Sequence, residues 1–168
     1  MPRKKRIKEK KEPLIIWIPD NTIDYDIPPA EAIKDLPGSD PIILDIPMEI
    51  WNGGKSGIVK GVDIPLYIYP WPFSTNQGLG FLERTFGGCG VPAEIVPLKN
   101  HKEKLWDLGI RWIPALGDKK TLWQDKRGRT RIVYLDLGVD DFGFVLGFPD
   151  RPWRSTDALI GAPRLTHY

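Results

Sequence analysis

Seventeen prolines and seventeen glycines are spread through this chain, about one residue in five of its 168. An interior proline removes a backbone donor and collides with the preceding helical turn, so a long-helix bundle or coiled coil is excluded. What remains is a domain of short elements joined by turns. Aliphatic and aromatic residues form 41% of the chain, enough to bury a core in one domain of this length. Charged residues, at 27% and balanced in sign, exclude a wholly disordered chain. No apolar run nears the ~20 residues that a membrane-spanning helix needs. The start, Met1-Pro-Arg-Lys-Lys-Arg, leads into charge rather than the apolar stretch of a secretory signal. With a single cysteine, these features point to a cytoplasmic protein, or one held within an intracellular assembly or virion. Cys89 has no second cysteine to pair with, and His101 and His167 do not complete a metal cage with it, so no metal is expected.

The net charge of +2 hides a segregated pattern. Residues 1–12, with Arg3, Lys4, Lys5 and Arg6, carry +5, residues 13–50 carry −7, and residues 99–131 carry +6. The last stretch ends in Lys126-Arg127-Gly128-Arg129-Thr130-Arg131. Such basic segments can neutralise phosphates by releasing counterions. They can equally lie on an acidic surface, this chain's own or a partner's, or be solvated. No aromatic residue interleaves the N-terminal arm, so base stacking has no support there. Arg127, Arg129 and Arg131, on a loop leading into a strand, would give one phosphate-facing edge.

Short apolar runs at Leu14–Ile18 and Ile64–Tyr69 read as strands, and Pro29–Leu36 as a brief helix. Pro70–Asn76 is a loop rich in helix-capping residues, followed by a helix over Gln77–Phe86 that closes at Gly87-Gly88. A strand is expected at Ala93–Leu98. A helix capped by Asn100 and Glu103 then runs to Gly109, and a strand follows at Ile110–Ile113. Alternating strands and helices argue for a layered α/β domain. Thr130–Leu137 and Phe142–Phe148 read as a hairpin extending the sheet, and residues 149–168 as an irregular tail.

The stretch Gly109-Ile-Arg-Trp-Ile-Pro114, after a helix that ends in glycine, resembles the second half of a thioredoxin-like domain. Upstream, Tyr69-Pro-Trp-Pro-Phe-Ser74 is similar to the active-site loop of the glutaredoxin and glutathione-transferase branch. The resemblance covers residues 62–118. It implies a central mixed β-sheet with short flanking helices over residues 62–148 and a cis Ile113–Pro114 bond beside the loop; residues 13–61 lie outside it and read, from their apolar runs, as an extension with short strands. Trp71 stands where the family carries its nucleophilic cysteine and Ser74 where it carries the second. The family's chemistry rests on a thiolate activated at a helix N-terminus. Serine has no such form near neutral pH, so on that alignment no catalytic residue remains.

The resemblance implies a redox-inactive scaffolding subunit that binds other proteins through the old active-site face: Trp71, Phe73, Trp112 and Pro114. It also leaves open a glutathione-binding enzyme, with Ser74, Thr75, Asn76 and the backbone of Ile113 holding glutathione or another anion at a helix start. A third reading is a virion or nucleoprotein component that contacts nucleic acid through residues 1–12 and 126–131. The seven tryptophans are many for this length and suggest apolar surface held by a partner. Gly54-Lys-Ser56 fails as a phosphate loop, because the earlier glycine it requires falls at Glu49. Asp136, Asp140 and Asp141 suit turn capping better than metal binding. Cys89, in its glycine turn, reads as structural.

Overall fold

The structure, a computed structural model, describes residues 12–117 and 122–165. Along the chain run β1 (Leu14–Asp24), α1 (Pro29–Ile33), α2 (Met48–Trp51), β2 (Ile58–Ile68), α3 (Thr75–Phe86), α4 (Pro92–Ile95) and α5 (Lys102–Asp107). They are followed by β3 (Trp112–Ala115), β4 (Trp123–Gln124), β5 (Thr130–Asp136), β6 (Gly143–Gly147), β7 (Ala158–Ile160) and β8 (Arg164–Leu165). Two 3-10 turns, Pro41–Asp45 and Val96–His101, complete the set. The fold is mixed α/β, and every ladder between these strands is antiparallel.

β2 lies between β1 and β7, with Leu66 opposite both Ile16 and Ile160, and β8 joins it at Val62. β5 organises the second sheet, flanked by β3, β4 and β6. A parallel bridge between Trp112 and Asp157 links the two sheets, with the Arg111 and Trp112 amides donating to the Thr156 carbonyl. Successive strand residues point to opposite faces, and here both faces are covered. Ile64, Leu66, Ile113, Val133, Leu135, Ala158 and Ile160 share one core with the short helices. The alternate positions Tyr67, Ile132 and Leu159, with Leu116 just past β3, share a smaller one with Leu82 of α3 and Trp153.

Several expectations are corrected. Ala93–Leu98 is not a strand: Pro92 starts α4 and Pro97 sits in the first turn of the second 3-10 segment, both positions that tolerate a missing amide proton. The helix after it is capped at His101 rather than Asn100, without a side-chain cap bond. Ile113–Pro114 is trans, as are all peptide bonds among the described residues. β1 continues past Pro19 because Asp20 adopts a left-handed backbone (φ 57°) and the register slips between Ile18 and Asn21. That is a bulge, and it lets one strand carry a proline in its middle. The tail supplies β7 and β8 and is not irregular throughout. A boundary at 61/62 would cut β2, and the main core draws on residues from Ile18 to Ile160. No helix among the described residues is long and apolar enough to cross a membrane.

Candidate nucleic-acid interface

The turn between β4 and β5 is built by one aspartate. The Asp125 amide donates to the Arg129 carbonyl, and the Gly128 amide donates to the Asp125 carbonyl, with Gly128 left-handed (φ 73°). Aspartate first and glycine fourth is the residue order this tight turn favours. Asp125 Oδ1 accepts from the Arg127 and Arg129 amides at 2.9 and 3.0 Å. Its Oδ2 takes Arg129 Nε at 3.3 Å and the Arg131 guanidinium at 3.2 Å. Burial pushes the Asp125 carboxyl up, but the Arg129 and Arg127 amides and the Arg131 and Arg129 guanidinium groups outweigh it and hold it below the usual carboxylate range.

This division of labour separates the three predicted arginines. Arg131 is turned inward, bonded to Asp125 and the Leu146 carbonyl and lying 4.4 Å from the Phe148 ring centre, so it holds the hairpin together. Arg127 and Arg129 remain on the surface, and so does Lys126, whose side chain is 87% exposed and only 3.8 Å from Asp45 Oδ2. Lys126, Arg127 and Arg129, with Ile42, Asp45, Trp123 and Asp125, line a hollow of about 390 Å³. Asp45 and Ile42 come from the first 3-10 turn, far away in sequence. Nothing in the local pattern announced that they would meet the hairpin. Arg3, Lys4, Lys5 and Arg6 lie outside the described residues.

The expected protein-binding face is not assembled. Trp71 is 43% exposed and Trp112 half-buried, but Phe73 (3% exposed) and Pro114 are interior. Phe73 packs with Leu82, Leu116 and Trp153, and Pro114 is tied into β3 opposite Tyr134. The other tryptophans are largely absorbed: Trp51 and Trp153 are buried, and Trp17, Trp106 and Trp123 are half-buried.

The helix start expected to hold an anion is occupied by its own caps. Ser74 Oγ accepts from the Gln77 amide at 3.2 Å, while the Ser74 amide donates to Gln77 Oε1 at 2.8 Å. Thr75 is buried, donating to the Pro149 carbonyl and accepting from Trp153 Nε1 at 2.9 Å. Asn76 is exposed, and Ile113 is fully buried opposite Leu135. Ser74, Thr75 and Asn76 line a hollow of about 770 Å³ beside α3, and Ile113 is not among its lining residues.

Two buried carboxyls escaped the sequence reading. Glu94 is fully buried and accepts from Tyr25 Oη at 2.6 Å, Lys55 Nζ at 3.0 Å and the Val91 amide at 2.8 Å. Burial, then the bond to Glu94 and its charge, push the Tyr25 phenol well above the ordinary range. Lys55 thus belongs to a packed network rather than a phosphate loop. Asp157 accepts from the Arg154 amide through Oδ2 at 2.8 Å, and Oδ1 has no hydrogen-bond partner among the described residues. Burial raises its carboxyl, against the Arg154 amide and the Arg151 and Arg154 charges. Cys89 is half-buried and bridged through its backbone to Gly161. No cluster of three metal-binding side chains occurs among the described residues.

No protein-family model matches the chain, and neither a curated protein nor a solved structure does.

Proposed function

We propose that this protein is a non-catalytic structural subunit of a nucleoprotein assembly, and that it grips nucleic-acid phosphates with the β4–β5 turn. The observation that carries this reading is the turn's construction. Asp125 and Arg131 fix its shape from within, leaving Lys126, Arg127 and Arg129 presented together on the surface. Cations held on a rigid turn need little ordering to meet a phosphate backbone, and each phosphate met releases bound counterions. The reading keeps the subunit role inferred from the sequence. It drops the thioredoxin-like frame, to which antiparallel ladders and a helical 93–98 segment lend nothing. Binding of other proteins through Trp71 fits the same role.

The test is fluorescence anisotropy with a labelled single-stranded DNA over a range of salt. The double substitution K126A/R127A removes two exposed cations whose side chains do not hold the turn. The slope of log affinity against log salt should fall by about 1.4, at roughly 0.7 per phosphate contact on a single strand. An unchanged slope and affinity would overturn the assignment to this hairpin.

A further inference from the structure

We infer that the hollow beneath the β4–β5 turn accepts a single unstacked nucleobase and prefers one carrying an exocyclic amino group. This deepens the phosphate-binding reading and rests on it.

Volume and composition support the assignment. About 390 Å³ lies within the ~300–1,000 Å³ range of small-ligand sites. A stacked, paired base could not enter a hollow set between the 3-10 turn and the hairpin, so the occupant is single-stranded. The wall offers the half-exposed Trp123 indole and the exposed Ile42 side chain, an aromatic and an aliphatic surface for a flat base. Stacking of this kind is sequence-tolerant, because every base has a π-face. The rim carries Lys126, Arg127 and Arg129, so a nucleotide whose base sits inside leaves its phosphates beside cations.

The base preference follows from the two carboxylates. Asp125 has both oxygens engaged by the hairpin's own amides and guanidinium groups. Asp45 is different. Its side chain is about half exposed, and its one ion pair among the described residues, to Lys126, is long at 3.8 Å. The 3-10 turn that ends in Asp45 is held in place: the Asp40 side chain accepts from the Ile42 amide, and the Asp40 amide donates to the Phe144 carbonyl of β6. An acceptor-only carboxylate on a fixed turn suits the donor that cytosine presents at N4 or adenine at N6. It repels the O4 acceptor of thymine or uracil.

The experiment compares three labelled oligonucleotides of about ten nucleotides, within the range of single-strand sites: all-deoxycytidine, all-thymidine and an abasic backbone. They are bound to the full chain at about 50 mM salt. Deoxycytidine should bind about fivefold or more tightly than thymidine, the low end of what a base-edge contact discriminates. D45N, a half-exposed change checked for folding by its thermal melt, should bring the deoxycytidine and thymidine affinities within twofold of each other, while losing a negative charge beside Lys126 raises the affinity of all three oligonucleotides together. W123A should reduce base-containing affinity toward the abasic value. Equal binding of all three, lost together in K126A/R127A, would overturn base recognition and leave the phosphate reading standing. Failure of every oligonucleotide to bind would overturn both. Polyglutamate binding as tightly as all-deoxycytidine would also overturn the inference, by showing an acidic-protein surface.

Discussion

Replacing Glu94 by alanine should be among the most damaging single changes in this protein. Glu94 is fully buried, and three groups from separate parts of the chain depend on its two oxygens. The Tyr25 hydroxyl and the Val91 amide belong to buried residues, so water does not replace the lost acceptor. Each stranded group costs about 1–3 kcal/mol. Lys55 is half-exposed and recovers hydration, contributing little. The two stranded groups together make the loss about 2–6 kcal/mol, against a typical total stability of about 5–15 kcal/mol. Urea denaturation followed by tryptophan fluorescence measures it directly. E94Q separates charge from shape, because it keeps an acceptor for Val91 but presents an amide to Lys55, and it should fall between wild type and E94A. As pH rises through the ordinary tyrosine range, near 10, Tyr25 ionises in the unfolded chain but not in the folded one. Stability present below that range should therefore decline, and Y25F should lack this component. A cost below about 1 kcal/mol for E94A would refute the reasoning, since it would mean that Tyr25 and Val91 find other partners.

Helix α3 offers a paired test. Gly80 is mid-helix with no positive φ, and a Cβ there would meet only the mobile Arg84 guanidinium at 3.4 Å, so G80A should stabilise by about 0.5–1 kcal/mol in thermal melts. A Cβ at Gly78 would lie 3.0 Å from Leu159 and 3.3 Å from Leu116 and Phe73, so G78A should destabilise by about 1–3 kcal/mol. For Asp157, burial raises the folded carboxyl above its unfolded value. The folded state therefore holds its proton more tightly, and wild-type stability declines as pH rises from the ordinary carboxylate range through the raised one. D157N should be flat over that window, measured as Tm against pH.

The elements that were legible in the sequence are those whose signals are local. Ser74 and Gln77 form their reciprocal cap within four residues, and Gly87 closes the helix with a left-handed backbone. β5 and β6 follow from two alternating runs separated by a turn. Ala93–Leu98 misled because an apolar run of that length suits a strand or a buried helical turn equally, and only the flanking prolines decide. Candidate-site residues were found where charge clusters in sequence, at Arg127 and Arg129. They were missed where the fold brings distant segments together. Glu94 meets Tyr25 across 69 positions and Lys55 across 39, and Asp45 reaches Lys126 from another element altogether. Burial also removes residues from the surface that the thioredoxin-like resemblance places there, as with Phe73 and Pro114. Periodicity cannot report a partner that arrives from another part of the chain.

The position of β2 between β1 and β7 has a consequence for how the chain is made. One flank of β2 is satisfied by a strand that leaves the ribosome before it, the other by residues 158–160, roughly ninety positions later. At about 5–20 residues per second, translation keeps that second flank waiting for about five to twenty seconds. Throughout that interval the nascent chain carries an open row of amides and carbonyls along the central strand of this sheet, a surface that other chains can pair with. Completion of the sheet therefore waits for β7, and the yield of native protein depends on how well that edge is shielded during synthesis.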